Sequence, residues 1–148
     1  MSYNAYTVIV SAKTSPLSAR LAHETLERLA RSARRKGVPR SALVQGYVEE
    51  GLRMEEHPGI VFVDGPAGRR PALRRGPDVW EVVSTLKANE GSLRATAEVL
   101  AIAEPQLRIA LGYYADHAQE IDDWIHANEE ESARAEAAWR RQRSLARE

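Results

Sequence analysis

Between residues 16 and 54 the spacing of apolar positions shifts from alternation to a period of about 3.6, and the shift marks out the elements. Leu17, Ala19 and Leu21 alternate with Ser18 and Arg20, as on a half-buried strand. Leu26, Leu29, Ala30 and Ala33 then recur at helical spacing, and Gly37 follows where a left-handed cap is wanted. A second helix starting near Pro39 turns Leu43, Val44, Tyr47, Val48 and Leu52 inward. The strand at 17–21 has no partner in its own segment, and unpaired backbone groups are costly. An antiparallel ribbon made by two copies would pair them, so a homodimer is expected. Residues 5–11, AYTVIVS, are the alternative source of that ribbon. The preference for 17–21 rests on its running into the first helix without a linker.

Further along, His57-Pro58-Gly59 ends the second helix. Residues 60–63 predict a strand, 64–68 a turn and 69–73 a return strand. Gly76-Pro77-Asp78 opens a helix over 79–88, with Val79, Trp80, Val82, Val83 and Leu86 as its apolar positions. Ser92 is a good N-cap for a helix over 93–100. The stretch from Ser92 to Ile125 has helix-turn-helix character: Ala97 is small where helices would cross, and Leu107 and Ala110 face inward. Its turn has Ala101 where a glycine is common. This stretch reads either as a second DNA reader or as a compact packing unit. Packing is preferred, because the would-be recognition helix becomes acidic and phosphates would repel it. Residues 128–148 lack a broad apolar stripe but are rich in Ala, Glu and Arg, which favours a helix that is either a solvated tail or ordered by a partner.

Charge changes this picture by its distribution. The formal net charge of the 148 residues is +0. From Lys13 to Arg40, however, eight basic residues face only Glu24 and Glu27. From Glu104 to Glu131, Arg108 alone opposes eight acidic residues, and the end is basic again with Arg134, Arg140, Arg141, Arg143 and Arg147. Such segregation predicts separate faces for separate partners, against the plainer reading of each run as a solvated helix face. Cysteine is absent, which removes disulfides and thiolate metal sites. No run approaches the ~18 apolar residues of a membrane span, so no membrane association and a cytoplasmic location are expected.

The alternating strand, the E-T-L-E-R-L-A of the first helix, the K-G turn and the S-A-L-V-Q-G-Y-V-E-E-G-L of the second resemble the ribbon-helix-helix family of DNA-binding proteins, the Arc and MetJ type. That family puts the outward side chains of its paired strands into the major groove. By position these would be Ser18, Arg20 and, less usefully, Pro16, with Arg40 and Ser41 at the start of the second helix holding a phosphate. Pro39 departs from the pattern, standing at a common Ser cap position and supplying no amide. The hairpin, the D-V-W-E-V-V helix and the R-I-A-L-G-Y-Y-A-D-H-A-Q-E-I-D ending, across roughly residues 57–125, resemble a small antitoxin-associated domain family whose members are often found beside toxins of the PIN nuclease fold. Here R-R-P-A-L-R-R-G replaces that family's shorter G-R-P-x-I-x-G-T-R.

Together these resemblances imply a VapB-like antitoxin of a type II toxin–antitoxin pair, repressing its own operon through operator DNA and silencing a PIN-type ribonuclease. The implied architecture is mainly α with short β-strands. A ribbon-helix-helix dimerised through an intermolecular β-ribbon occupies residues 1–56. A β-hairpin plus helix-turn-helix-like bundle occupies 57–127, and a helical or partner-ordered toxin-binding tail 128–148. Such a nuclease holds divalent metal with carboxylates, which an arginine can engage bidentately. Trp139 as an apolar anchor, with Arg140, Arg141, Arg143 and Arg147, are the residues placed to do so. The alternatives are a dimeric repressor without a toxin, and an interaction scaffold without DNA binding.

Neither an enzyme nor a cofactor is expected. His23, His57, His117 and His126 have no metal-ligand spacing. His117, near Asp116 and Glu120, reads as a surface ion pair or packing residue. Asp122 and Asp123 are adjacent on a helix and point apart, and Gly65, Gly68 and Gly76 form no phosphate loop.

Overall fold

The computed structural model describes residues 15–65 and 68–145. Among these the chain is mainly helical, with one small antiparallel sheet: α1 His23–Lys36, α2 Arg40–Glu56, β1 Ile60–Gly65, β2 Gly68–Leu73, α3 Val79–Ala88, α4 Leu93–Leu100, α5 Glu104–Asp116 and α6 Ala118–Leu145. It separates into two compact units, residues 1–71 and 72–148. Residues 5–11 lie outside the described residues.

In the first unit α1 packs on α2, and β1 packs on α2. Gly37 closes α1 with φ 65°, its amide bonding Arg34 O at 3.2 Å while the Val38 amide bonds Ala33 O at 3.1 Å. That paired closure needs a left-handed residue, which glycine adopts without a Cβ clash. Pro39 is the N-cap of α2 and makes no side-chain cap bond. Residues 15–22 form neither helix nor strand in the single chain.

The inward face expected of α2 is only partly covered. Leu43 and Gly46 of α2 are buried, as is Ala33 of α1, which packs on it. Val44, Tyr47, Val48 and Leu52, expected inside, are exposed. Two helices and one hairpin offer too little surface to enclose two helical stripes, so the rest of the stripe has no cover within its own unit.

The second unit is built around α3, which packs against α4, α5 and α6. Its Val79, Val82 and Val83 are buried, together with Ala97 of α4, Leu107, Ala110 and Tyr113 of α5, and Ile121 and Ile125 of α6. Thr96 is fully buried as well, its hydroxyl satisfied by Ser92 O at 2.8 Å. Local punctuation sets the ends. Glu81 accepts the Asp78 amide before α3, and Ser92 Oγ accepts the Ala95 amide to cap α4. Ala101 ends α4 in the left-handed region at φ 52°, with its amide on Glu98 O and the Ile102 amide on Ala97 O. The tail does not begin a new element at 128: α6 is continuous over 28 residues, because nothing between His126 and Glu130 breaks a helix.

Candidate nucleic-acid and partner-binding surfaces

The basic run of the first unit is partly neutralised by its own structure. His23 Nε2 and Arg31 Nη1 lie 3.3 and 3.9 Å from the two oxygens of Glu27. Lys36 Nζ donates to Asp64 at 3.2 Å, and Arg69 reaches Asp64 at 3.4 Å while its Nε donates to Glu50. Partial burial pushes the Asp64 carboxyl upward, but Lys36 and Arg69 outweigh it and hold the pKa below the usual 3.8. The Glu50 carboxylate, against the cost of burial, raises the pKa of Arg69. These groups fasten the hairpin to the helix pair. Arg70 also belongs to the hairpin, its guanidinium lying over Gly65 where any side chain would collide with it.

Arg20, Arg28, Arg34, Arg35 and Arg40 are left without an ion pair among the described residues. Ser18 and Arg20 are exposed in the stretch before α1, and Leu17 beside them is 85% exposed. Arg40 and Ser41 are exposed in the first turn of α2. An open hollow of about 550 Å³ at the α1–α2 turn is lined by Ala30, Ala33, Arg34, Gly37, Val38, Pro39 and Arg40. The fold therefore places Arg40 beside Arg34. In the sequence Arg34 is one of the eight basic residues of the 13–40 run, and its position one turn before the Gly37 cap is the signal that sets it beside the start of α2.

In the second unit Trp139 is 55% exposed on α6. Arg143, one turn later, lies with its guanidinium carbon 5.0 Å from the indole centroid, a cation–π arrangement. Arg140 is engaged by Glu136 on the same helix. Arg141 is exposed and projects about 200° around the helix from Trp139. The four are thus not one cluster: Trp139 and Arg143 share a face, and Arg141 lies opposite. Arg147 lies outside the described residues.

Elsewhere in this unit, Lys87 Nζ donates to Asp122 at 2.7 Å, and the Tyr114 hydroxyl donates to the same carboxylate at 3.1 Å, joining α3, α5 and α6. The Lys87 hydrogen bond holds the Asp122 pKa below 3.8, and Asp122 in return raises that of Lys87. Tyr113 reaches Glu120 at 3.3 Å, with its ring 4.4 Å from that of His117. Among the described residues no group of three or more His, Cys, Asp or Glu could hold a metal ion, and no helix is long and apolar enough to cross a membrane.

Comparison of the chain with protein-family models, with curated proteins and with solved structures returned no match.

Proposed function

We propose that this protein is a homodimeric DNA-binding repressor and the antitoxin of a type II pair, with residues 17–21 forming a ribbon between two copies. The observation that carries this reading is the uncovered apolar surface of residues 17–52. Leu17, Leu21, Leu26, Val44, Tyr47, Val48 and Leu52 are all exposed in the single chain. Apolar side chains at strand and helix spacing over one short segment, next to unpaired arginines, suit a second copy covering the stripe while the cations face a polyanion. Arg20 and Ser18 would read base edges, and Arg34 and Arg40 would hold phosphate beside a helix start that lacks one amide at Pro39. The α4–α5 pair, helix-turn-helix-like in sequence, serves in this reading as a packing unit.

Partner capture falls to the end of α6, where Trp139 and Arg143 offer an aromatic and a cation on one face. The partner chemistry that suits them is an acidic site, as in a PIN-type ribonuclease. The same helix supports the plainer repressor without a toxin, because Arg140 is already met by Glu136.

Three measurements separate the readings. Val48→Glu should convert a dimer to a monomer in light scattering; a dimer that survives it removes the ribbon assignment. Arg20→Ala should lower affinity for DNA upstream of the protein's own operon by about 1–3 kcal/mol with the dimer intact. Unchanged affinity would sink base reading by the ribbon. Expression of the whole operon should yield a nuclease that co-purifies and is lost on deleting residues 132–148. A lone dimer would leave the repressor alone standing.

A further inference from the structure

The sequence from Arg69 to Arg75 holds four arginines and no acidic residue. Arg69 is consumed by Glu50 and Asp64, and Arg70 lies over Gly65. Arg74 and Arg75 are different. Both are exposed in the turn between β2 and α3, and neither has an ion pair or a side-chain hydrogen bond among the described residues.

Their backbone is held on all sides. An antiparallel bridge joins Ala72 to Asp78, and the Leu73 amide donates to Pro77 O at 3.0 Å, closing the turn. Gln106 Nε2 of α5 donates to Arg75 O at 2.9 Å. A Cβ at Gly76 would stand 3.2 Å from Leu73 and 3.7 Å from Ile102, so the turn lies close against the α4–α5 connection.

The acidic groups that could quench this charge are committed elsewhere. Asp78 accepts from Trp80 Nε1, Glu81 accepts the Asp78 amide, and Glu104 at the start of α5 is 3.8 Å from Arg108. Two adjacent guanidiniums thus stand on a fixed turn with no internal counterion.

We propose that the Arg74–Arg75 turn is a second contact for duplex DNA, gripping backbone phosphates and reading no bases. Cations suffice to grip a phosphate backbone, with release of its counterions. A protein interface would need an apolar centre. The turn provides none: Ala72, Leu73 and Val79 around it are buried, and its exposed residues are Arg74, Arg75 and Gly76. This contact does not depend on the ribbon, because it belongs to the second unit and requires no base recognition.

The test uses the full chain and a fluorescent duplex of random sequence, with polarisation titrations over a range of salt concentrations. The variant Arg74→Gln/Arg75→Gln should bind about tenfold or more weakly at low salt, and its plot of log affinity against log salt should be shallower by about two for each chain that contacts the duplex. Arg74→Lys/Arg75→Lys should retain most of the binding, since a point charge suffices for a phosphate. An unchanged slope in the Gln variant overturns the proposal, as does loss of co-purifying protein partner with DNA binding intact. Thermal melting serves as the folding control, because both side chains are exposed and the Gln106 bond is to backbone. Arg20→Ala, titrated against both the operator and the random duplex, keeps the two assignments apart, as it should lose operator preference and bind the random duplex as the parent does.

Discussion

Arg69 on β2 donates through Nε to the carboxylate of Glu50 on α2, and the two side chains are only 21% and 12% exposed. A pair this enclosed costs desolvation on both sides, so its removal is asymmetric. Arg69→Ala strands the Glu50 charge and should destabilise the first unit by about 3 kcal/mol. The double change Glu50→Leu/Arg69→Met should recover most of that loss. Urea unfolding of the intact protein reads both, and a single variant indistinguishable from the parent would show that the pair does not hold the hairpin.

Ala101 suggests a change in the opposite direction. A residue with a Cβ at φ 52° carries a steric cost of about 1 kcal/mol that glycine does not. The cap bonds to Ala97 O and Glu98 O involve only backbone and would persist. Ala101→Gly is therefore expected to stabilise the second unit by up to about 1 kcal/mol, seen as a higher melting temperature. A lower one would mean that the methyl group packs usefully.

The Lys87–Asp122 pair predicts a pH dependence with two edges. Asp122 has its pKa lowered by the Lys87 hydrogen bond, so its contribution is present above the ordinary 3.8 and fades as pH falls through that value to the depressed one. Lys87 has its pKa raised by Asp122, so its contribution is present below 10.5 and fades only as pH climbs past it. The effect is small, because the side chains are 54% and 44% exposed and solvent screens them. The melting-temperature difference between the parent and Asp122→Asn should be constant across neutral pH and vanish in acid. A difference that persists below the carboxylate range would place the effect outside the ion pair.

Within α6 the supporting contacts stop early. Ile121 and Ile125 are buried, Asn128 bonds back to Trp124 O, and residues 129–137 are exposed. Deleting 132–148 should therefore change the stability of the second unit by no more than about 0.5 kcal/mol. Leu107→Ala, at a fully buried position, should cost about 3 kcal/mol in the same assay. Comparable losses from the two would reveal packing against the end of α6.

The elements most legible in the sequence are those with local punctuation. Asp78 and Ser92 open α3 and α4 where the pattern predicts, because caps are decided by neighbouring residues. Contacts across 19 and 28 positions, Glu50 with Arg69 and Lys36 with Asp64, leave no periodic trace and emerge only from the fold. Periodicity did identify Val44, Tyr47, Val48 and Leu52 as apolar-face residues, but it could not tell whether their cover comes from the same chain. For the tail, weak hydrophobicity suggested a boundary at 128. Helix continuity depends instead on propensity and on i,i+4 pairs such as Glu130–Arg134 and Glu136–Arg140, which carry α6 onward. Charge segregation pointed to surfaces, yet which arginines remain uncommitted depends on acids distant in sequence.

That continuation of α6 also sets a distance. Trp139 lies fourteen residues beyond Ile125, the last side chain of α6 found buried among the described residues, or about 21 Å along its axis. A molecule seated on Trp139 and Arg143 would hang from a boom, clear of the packed part of its own unit. Loading the boom would then leave the core's melting transition unmoved and register only as slower amide exchange in the outer turns. Because those turns rest on exposed ion pairs, added salt would soften the boom before it disturbed anything beneath it.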